Sequence, residues 1–307
     1  MPAFAGMSGA RVNADQSCTS LDKLLQLFLN GLMAGAVLSV PAIGLTMIYA
    51  VLRFVNFSVA AHMAVGAFAG YMLNAWLGLP APVAIVGAFI GAGAVGIASD
   101  HIGLRPLRGQ SALTLAIASI AVNIMIESAI RFFFGGSPRG YAIPLRRDWH
   151  FGFLHVGPQQ VENFLIAAVA MGLLFLFLAF TLTGKAMRAV ADNPMLADSK
   201  GIDPDRMARL AIGIGMGLSG VGGMLVGLDT SIDPLVGFRA ILSVFAAAVV
   251  GGLGSVPGAV VGGIAIGLAE ELSLLVLAPT YKGVIGFLAI LVILLLRPGG
   301  ILGVRPA

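Results

Sequence analysis

The sequence predicts an all-α protein: a polytopic membrane helix bundle of eight or nine transmembrane helices, some of them broken or short. Three observations predict it. Of 307 residues 58% are hydrophobic and only 10% charged, against roughly 25% charged in ordinary soluble domains. The apolar residues gather into runs near the ~20 residues that a helix needs to cross ~30 Å of hydrocarbon. Small residues recur four apart inside those runs, at Gly31/Gly35, Gly66/Gly70, Gly87/Gly91, Gly213/Gly217, Gly223/Gly227, Gly258/Gly262 and Gly263/Gly267, the spacing that lets membrane helices approach closely.

In chain order, residues 1–23 read as a flexible polar tail. Residues 1–20 lack the apolar core of about 7–15 residues that a secretory signal carries, so the span beginning near Leu24 is expected to act as an uncleaved insertion signal. The single cysteine, Cys18, lies in this tail; it has no cysteine to pair with, and no Cys/His spacing points to a metal site. Residues 24–303 form a single transmembrane domain and 304–307 a short C-terminal tail. The apolar runs cover about 24–50, 57–78, 80–100, 112–134, 160–183, 207–229, 240–253, 258–277 and 282–297. Pro41 interrupts the first. GGLGSVPG at 251–258 either separates two short helices or bends one long segment, and this alternative decides between nine spans and eight. Irregular backbone at membrane depth must be buried in protein or line a cavity, which makes Gly251, Gly252 and Gly254 candidates for a translocation path.

Basic residues orient the chain by the positive-inside rule. Residues 101–110 carry Arg105 and Arg108 without an acid, and 184–206 carry Lys185, Arg188, Lys200 and Arg206. Both loops are expected on the cytoplasmic side, and the two spans between them agree. Arg297 and Arg305 put the C-terminus there as well, which requires an even number of crossings after residue 206, favours nine spans and leaves the N-terminus outside. Residues 135–159 then face out despite Arg139, Arg146 and Arg147. Either this segment is a folded cap that receives a partner, or its arginines pair locally with Asp148; the residues leave both open.

The net charge of +4 comes from scattered bases and suits basic cytoplasmic loops against a lipid bilayer, with no patch for nucleic acid. GxxxxGK[ST] is absent, so ATP hydrolysis by this chain has no foothold. HExxH, GxSxG and CxxC are absent too, and none of His62, His101, His150 and His155 has a helix-spaced histidine partner. Catalytic, metal and cofactor-binding residues are therefore all read as none. Within the spans, Asn123, Glu127 and Arg131 share one helical face; an ion pair near the outer surface is the plainer reading, and a solute contact through Asn123 the sharper one. Glu270 and Glu271 read as interfacial. Polar breaks at Asn56–Phe57–Ser58 and at Thr230–Pro234 both lead into small-residue helices. Five spans lie between them, so they face opposite sides, as matched broken helices along a transport path do; ordinary interfacial turns explain them equally well.

The most informative segment is TGKAMRAVADNPMLADSKGIDPDRM, 183–207. An amphipathic helix runs through about Ala191. Asn193 then caps a second short helix with Pro194 at its first position, and Gly201 stops it. Met187, Val190, Met195 and Leu196 are the apolar positions of this pair, placed to seat in a groove of a soluble partner or to lie flat on lipid.

Together with this loop, FAAAVVGGLGSVPGAVVGGIAIGLAEE at 245–271, LLLRPGGILG at 294–303 and IGLTMIYAVLRFVNFS at 43–58 resemble the permease subunits of branched-chain amino acid ABC importers, specifically the shorter H-type of the two paired permeases. The resemblance covers nearly all of 25–303. It implies a multi-pass subunit of the bacterial inner membrane, paired with a second related permease, two cytoplasmic ATPase subunits and a periplasmic solute-binding protein. ATP would be used by the partner ATPases, with no cofactor bound by this chain. The loop at 184–201 would be the coupling helix, contacting an ATPase through Lys185, Met187, Arg188, Met195, Leu196, Ala197 and Gly201. Of the EAAxxxG pattern common in importer loops only Ala197 and Gly201 match. NFSVAAHMAVGAF stands where the family commonly has an acidic, His-Gly-containing stretch, close to the candidate path residues Asn56 and Ser58. Urea, short-chain amides and aromatic-acid derivatives are the alternative solutes; an ATP-independent secondary transporter or channel is the alternative of another class.

Overall fold

The computed structural model describes residues 5–142, 149–151, 154–297 and 299–303, with side-chain surroundings over 22–142, 155–279, 281–297 and 299–303. The chain is helical almost throughout. Helix α1 spans Ala5–Leu52, of which Asp22–Leu52 is the apolar, membrane-length part; the residues read as a polar tail overlap its beginning. There follow α2 (Val59–Tyr71, continued by a π turn over Met72–Trp76), α3 (Ala81–Ser99, continued by irregular turns to Leu107), α4 (Ala112–Phe134), α5 (Pro158–Phe180), α6 (Leu182–Asp192), α7 (Pro194–Ser199), α8 (Pro204–Asp229), α9 (Val236–Gly251), α10 (Val256–Ser273) and α11 (Lys282–Leu296). Trp149–Phe151 (β1) and Leu154–Val156 (β2) pair as an antiparallel hairpin.

Helix starts follow from local chemistry. Ser111, Thr181, Asn193, Asp203 and Ser255 each accept a hydrogen bond from a backbone N–H of the first turn that follows, satisfying donors that no helical carbonyl can reach. Pro158, Pro194 and Pro204 stand at first helical positions, where a missing N–H costs nothing. GGLGSVPG separates two helices, α9 and α10. Pro41, expected to interrupt the first span, lies inside a continuous α1; its ring rests where a Cβ on Gly222 would sit.

Among the described residues six helices are long and apolar enough to cross a membrane: Asp22–Leu52, Ala81–Leu107, Ala112–Phe134, Pro158–Phe180, Pro204–Asp229 and Val256–Ser273; α9 and α11 are shorter and apolar. The chain is a multi-pass membrane protein. Many large apolar side chains point outward, among them Phe132, Phe133, Leu165 and Leu295, while the interior combines buried Ile43, Phe68 and Met224 with small residues at the closest helix contacts. Helix α8 is the centre, packed on α1, α2 and α3, and α1 in turn packs on α10. Close backbone approach explains the four-residue spacing: a Cβ on Gly66 would stand 2.2 Å from the Gly220 Cα, and one on Gly267 2.3 Å from the Gly35 Cα.

Contacts across the ends define two faces. On one, α6 and α7 lie beside the ends of α1 and α3 and the start of α8. On the other, the Gln26 side chain bonds both backbone groups of His155 in β2, and Arg139 and Ile232 exchange both backbone hydrogen bonds at 2.8 and 2.9 Å. Arg146, Arg147 and Asp148, for which local pairing was one expectation, lie outside the described residues.

Candidate functional site

The α6–α7 face is built as the sequence implies. The Asn193 Oδ1 accepts from the Leu196 N–H at 3.0 Å, and Gly201 adopts φ +81°, the left-handed geometry that favours glycine. The apolar positions divide, however. Met187 and Val190 are each only 2% exposed, buried with Ala197, Met207 and Ala211 inside this chain. Met195 is 84% and Leu196 58% exposed. Met187 and Ala197 therefore do not lie on the outward surface expected of them: α6 turns its apolar stripe onto its own bundle, and α7 presents Met195 and Leu196. Lys185, Arg188 and Gly201 are exposed beside them.

Charges that the sequence leaves unconnected hold this face in place. Arg108 bonds the buried Asp100 at 2.6 Å and reaches Asp205, at the start of α8, at 3.5 Å; Arg105 reaches Asp205 at 3.3 Å. The acid missing from 101–110 is supplied one residue earlier and from the far side of the α6–α7 loop. Arg53 donates to the Ala191 carbonyl of α6 at 2.5 Å. It does so from a left-handed backbone, φ +57°, which costs a non-glycine residue about 1–2 kcal/mol. Its signal in the sequence is a lone base at the end of an apolar run.

In the interior the helices that follow the two polar breaks, α2 and α9, meet at their first turns. Asn56 and Ser58 are buried; Ser58 donates through N–H and Oγ to the Asn56 Oδ1 at 3.0 and 2.7 Å, and the Asn56 Nδ2 is buried without a partner. Phe57 N–H donates to the Ser119 Oγ at 3.0 Å, and Ala61 N–H to the Asn123 Oδ1 at 2.8 Å. So α4 satisfies donors at the buried start of α2, and Asn123 is a cap for another helix. A Cβ on Gly237, in the first turn of α9, would lie 1.8 Å from the Ala60 carbonyl oxygen, so α2 and α9 both begin at one place inside the bundle. His62 bonds the Ser58 carbonyl through Nδ1 at 2.7 Å and lies 3.3 Å from the Ser99 Oγ through Nε2. Gly251 and Gly252 sit at the other end of α9. Gly251 packs on the Gly258 backbone and Gly252 on Gly299 and Gly303, while Ile301 and Leu302 donate to the carbonyls of Val250 and Gly251; backbone fills the space a solute would need there. Among the described residues Gly254, φ +93°, faces only the Tyr49 ring.

On the hairpin face a cavity of about 390 Å³ opens among α1, α5, α8, α10 and α11, bordered by Asn30, Gln160, Asp229, Glu270, Glu271 and Lys282. Glu271 pairs with Lys282, Asn163 donates to Asp229 at 2.7 Å, and Ser243 donates to Glu270 at 2.5 Å. Glu270 is buried within the protein, beside this cavity. A smaller hollow of about 270 Å³ is lined by Arg131, Asp233 and Arg239. Arg131 pairs with Glu127 at 2.7 Å, as their spacing implies, and Arg239 with Asp233. Tyr141 closes this end: its hydroxyl donates to the Ala67 carbonyl at 2.9 Å, and burial pushes the phenol above its ordinary pKa. No group of three or more metal-ligating side chains occurs among the described residues.

The chain is thus a multi-pass bundle with a two-helix unit clamped to one face, and comparison with known proteins gives the family. Residues 27–295 match the model of the branched-chain amino acid transport system / permease component, and the chain belongs to that family. The high-affinity branched-chain amino acid transport system permease protein LivH of Escherichia coli K12 is 32% identical over 300 residues, 92% of this chain and 96% of that protein. BraD of Pseudomonas aeruginosa, which carries the same description, is 32% identical over 298 residues, with the same coverage. The probable branched-chain amino acid transport permease protein LivH of Methanocaldococcus jannaschii is 31% identical over 279 residues, 86% of this chain and 87% of that protein. Among solved structures, PsaBC from Streptococcus pneumoniae in complex with Fab aligns with a TM-score of 0.48 at 15% identity, over 88% of this chain and 92% of that one.

Proposed function

We propose that this chain is the H-type permease of an ATP-driven importer for branched-chain amino acids, working in the bacterial inner membrane beside a second related permease, two cytoplasmic ATPases and a periplasmic solute-binding protein. It catalyses no reaction and binds no cofactor; ATP is hydrolysed by the partner subunits. The observation that carries the reading is α7: a short, capped helix with Met195 and Leu196 exposed, on a unit fixed to the bundle by the buried stripe of α6. An apolar edge beside Lys185 and Arg188, outside the apolar runs, suits a groove on a soluble subunit.

The count of nine spans has support in the alternation of ends: α1, α3, α5, α9 and α11 run toward the α6–α7 face, while α2, α4, α8 and α10 run away from it. The basic residues of 101–110 and 184–206 gather on that face, and the positive-inside rule supports putting it in the cytoplasm and the β-hairpin outside. The hollow between Arg131 and Arg239 then lies where a binding protein delivers solute. Movement of the ATPases rocks α6–α7, and the bundle alternates access along a path beside Asn56, Ser58 and Asn123.

Uptake into vesicles tests the reading. Branched-chain amino acid accumulation is expected only with the ATPases, the binding protein and ATP all present. Accumulation that persists undiminished without the ATPases would show a transporter working alone.

A further inference from the structure

The last turn of α1 touches the α6–α7 unit twice. Val51 packs against the cluster that buries Met187 and Val190, and the Arg53 guanidinium holds the Ala191 carbonyl. Ala191 is next to the last residue of α6, so its carbonyl is one of the four that no helical N–H reaches, and a cation there also meets the negative end of the helix dipole. Arg53 is the one non-glycine residue at positive φ among the described residues. Its own N–H closes α1 on the Tyr49 carbonyl at 2.9 Å, the left-handed helix end at which glycine is the usual residue. Backbone geometry there favours glycine, and the observed reward for arginine is the side-chain bond to α6.

The chain beyond Arg53 has little slack. Phe54, Asn56 and Ser58 are buried, Ser58 is tied to Asn56, and Phe57 is tied to Ser119 of α4. A shift of α6 is therefore passed to the start of α2, where α9 also begins.

We propose that Arg53 is a positioning residue that links movement of the α6–α7 unit to the 54–58 break inside the bundle. This rests on the reading of α6–α7 as the ATPase contact. The complete complex in proteoliposomes tests it, with ATP hydrolysis, uptake and thermal stability measured on the same samples. Arg53→Gly removes the side chain while suiting the backbone; assembly and stability are expected to be unchanged or improved. Uptake per ATP hydrolysed is expected to fall about ten-fold, a change on the scale of one charge-assisted hydrogen bond, and stimulation of hydrolysis by the loaded binding protein to disappear. Arg53→Lys, which keeps a cationic donor, is expected to restore most of the coupling. Met195→Glu reports on the underlying reading, because it should release the ATPases. Full coupling in Arg53→Gly alongside a defective Met195→Glu overturns the role of Arg53 alone. Loss of stability or assembly in Arg53→Gly makes its role structural and overturns it too. If Met195→Glu keeps its ATPases and its uptake, the reading of α6–α7 falls, and the proposal with it.

Discussion

Asp100 and Arg108 show how much a single residue's surroundings decide. Arg105 and Arg108 both reach Asp205 at the start of α8, but the Asp100–Arg108 pair is largely enclosed, with side-chain exposures of 3% and 17%, whereas Arg105 and Asp205 are 38% and 55% exposed. Removing one partner of an enclosed pair leaves a charge without compensation and costs about 3–5 kcal/mol; an exposed pair contributes about 0–1 kcal/mol. Arg108→Gln is therefore expected to lower the thermal unfolding midpoint in detergent clearly, and Arg105→Gln to leave it nearly unchanged. Equal effects would show that the enclosure of Asp100 does not govern this face. The sequence displayed these two arginines as interchangeable loop bases, because the residues that separate their roles come from one position before the loop and from the far side of α6–α7.

At the scale of elements, the short helices of the loop were legible and their facing was not. Asn193, Pro194 and Gly201 act through backbone groups a few residues away, so capping chemistry alone locates α7. An amphipathic stripe says only that one side is buried. It does not say whether the burying surface belongs to the same chain, and Met187 and Val190 proved to be core residues of this one. The consequence is specific. Met195→Glu is expected to abolish co-purification of the ATPases while the isolated chain keeps its stability, since this side chain touches solvent. Met187→Glu is expected to destabilise the chain itself, by several kcal/mol, because it buries an unpaired charge. Thermal melts of the chain alone and pull-downs of the complex separate the two. Arg53 was illegible for the complementary reason: its partner lies 138 residues away, and its distinguishing feature is a backbone angle.

For the whole molecule the central quantity is the number of crossings. In the proposed nine-span arrangement α7 lies inside the cell and the 135–142 segment outside. With Cys18 replaced by serine, Met195→Cys is expected to react with a membrane-impermeant maleimide only after the cells are opened, and Gly136→Cys, in open space at the opposite end, to react in intact cells. Labelling of both from one side would remove the nine-span arrangement and with it the placement of α7 against cytoplasmic ATPases.

Membrane residence, the helical class, the order of the apolar runs and the capped loop were determined by the sequence alone. They depend on the cost of exposing backbone groups to lipid and on hydrogen bonds within a few residues, both of which composition and spacing record. Tertiary structure alone decided that Pro41 leaves α1 unbroken, that α2 and α9 begin against each other, that Gly251 and Gly252 are filled by the C-terminal turn, and that Arg53 reaches α6. Each of these depends on which distant backbone comes within a few ångströms of a small or polar residue, and four-residue glycine spacing reveals that something approaches without recording what.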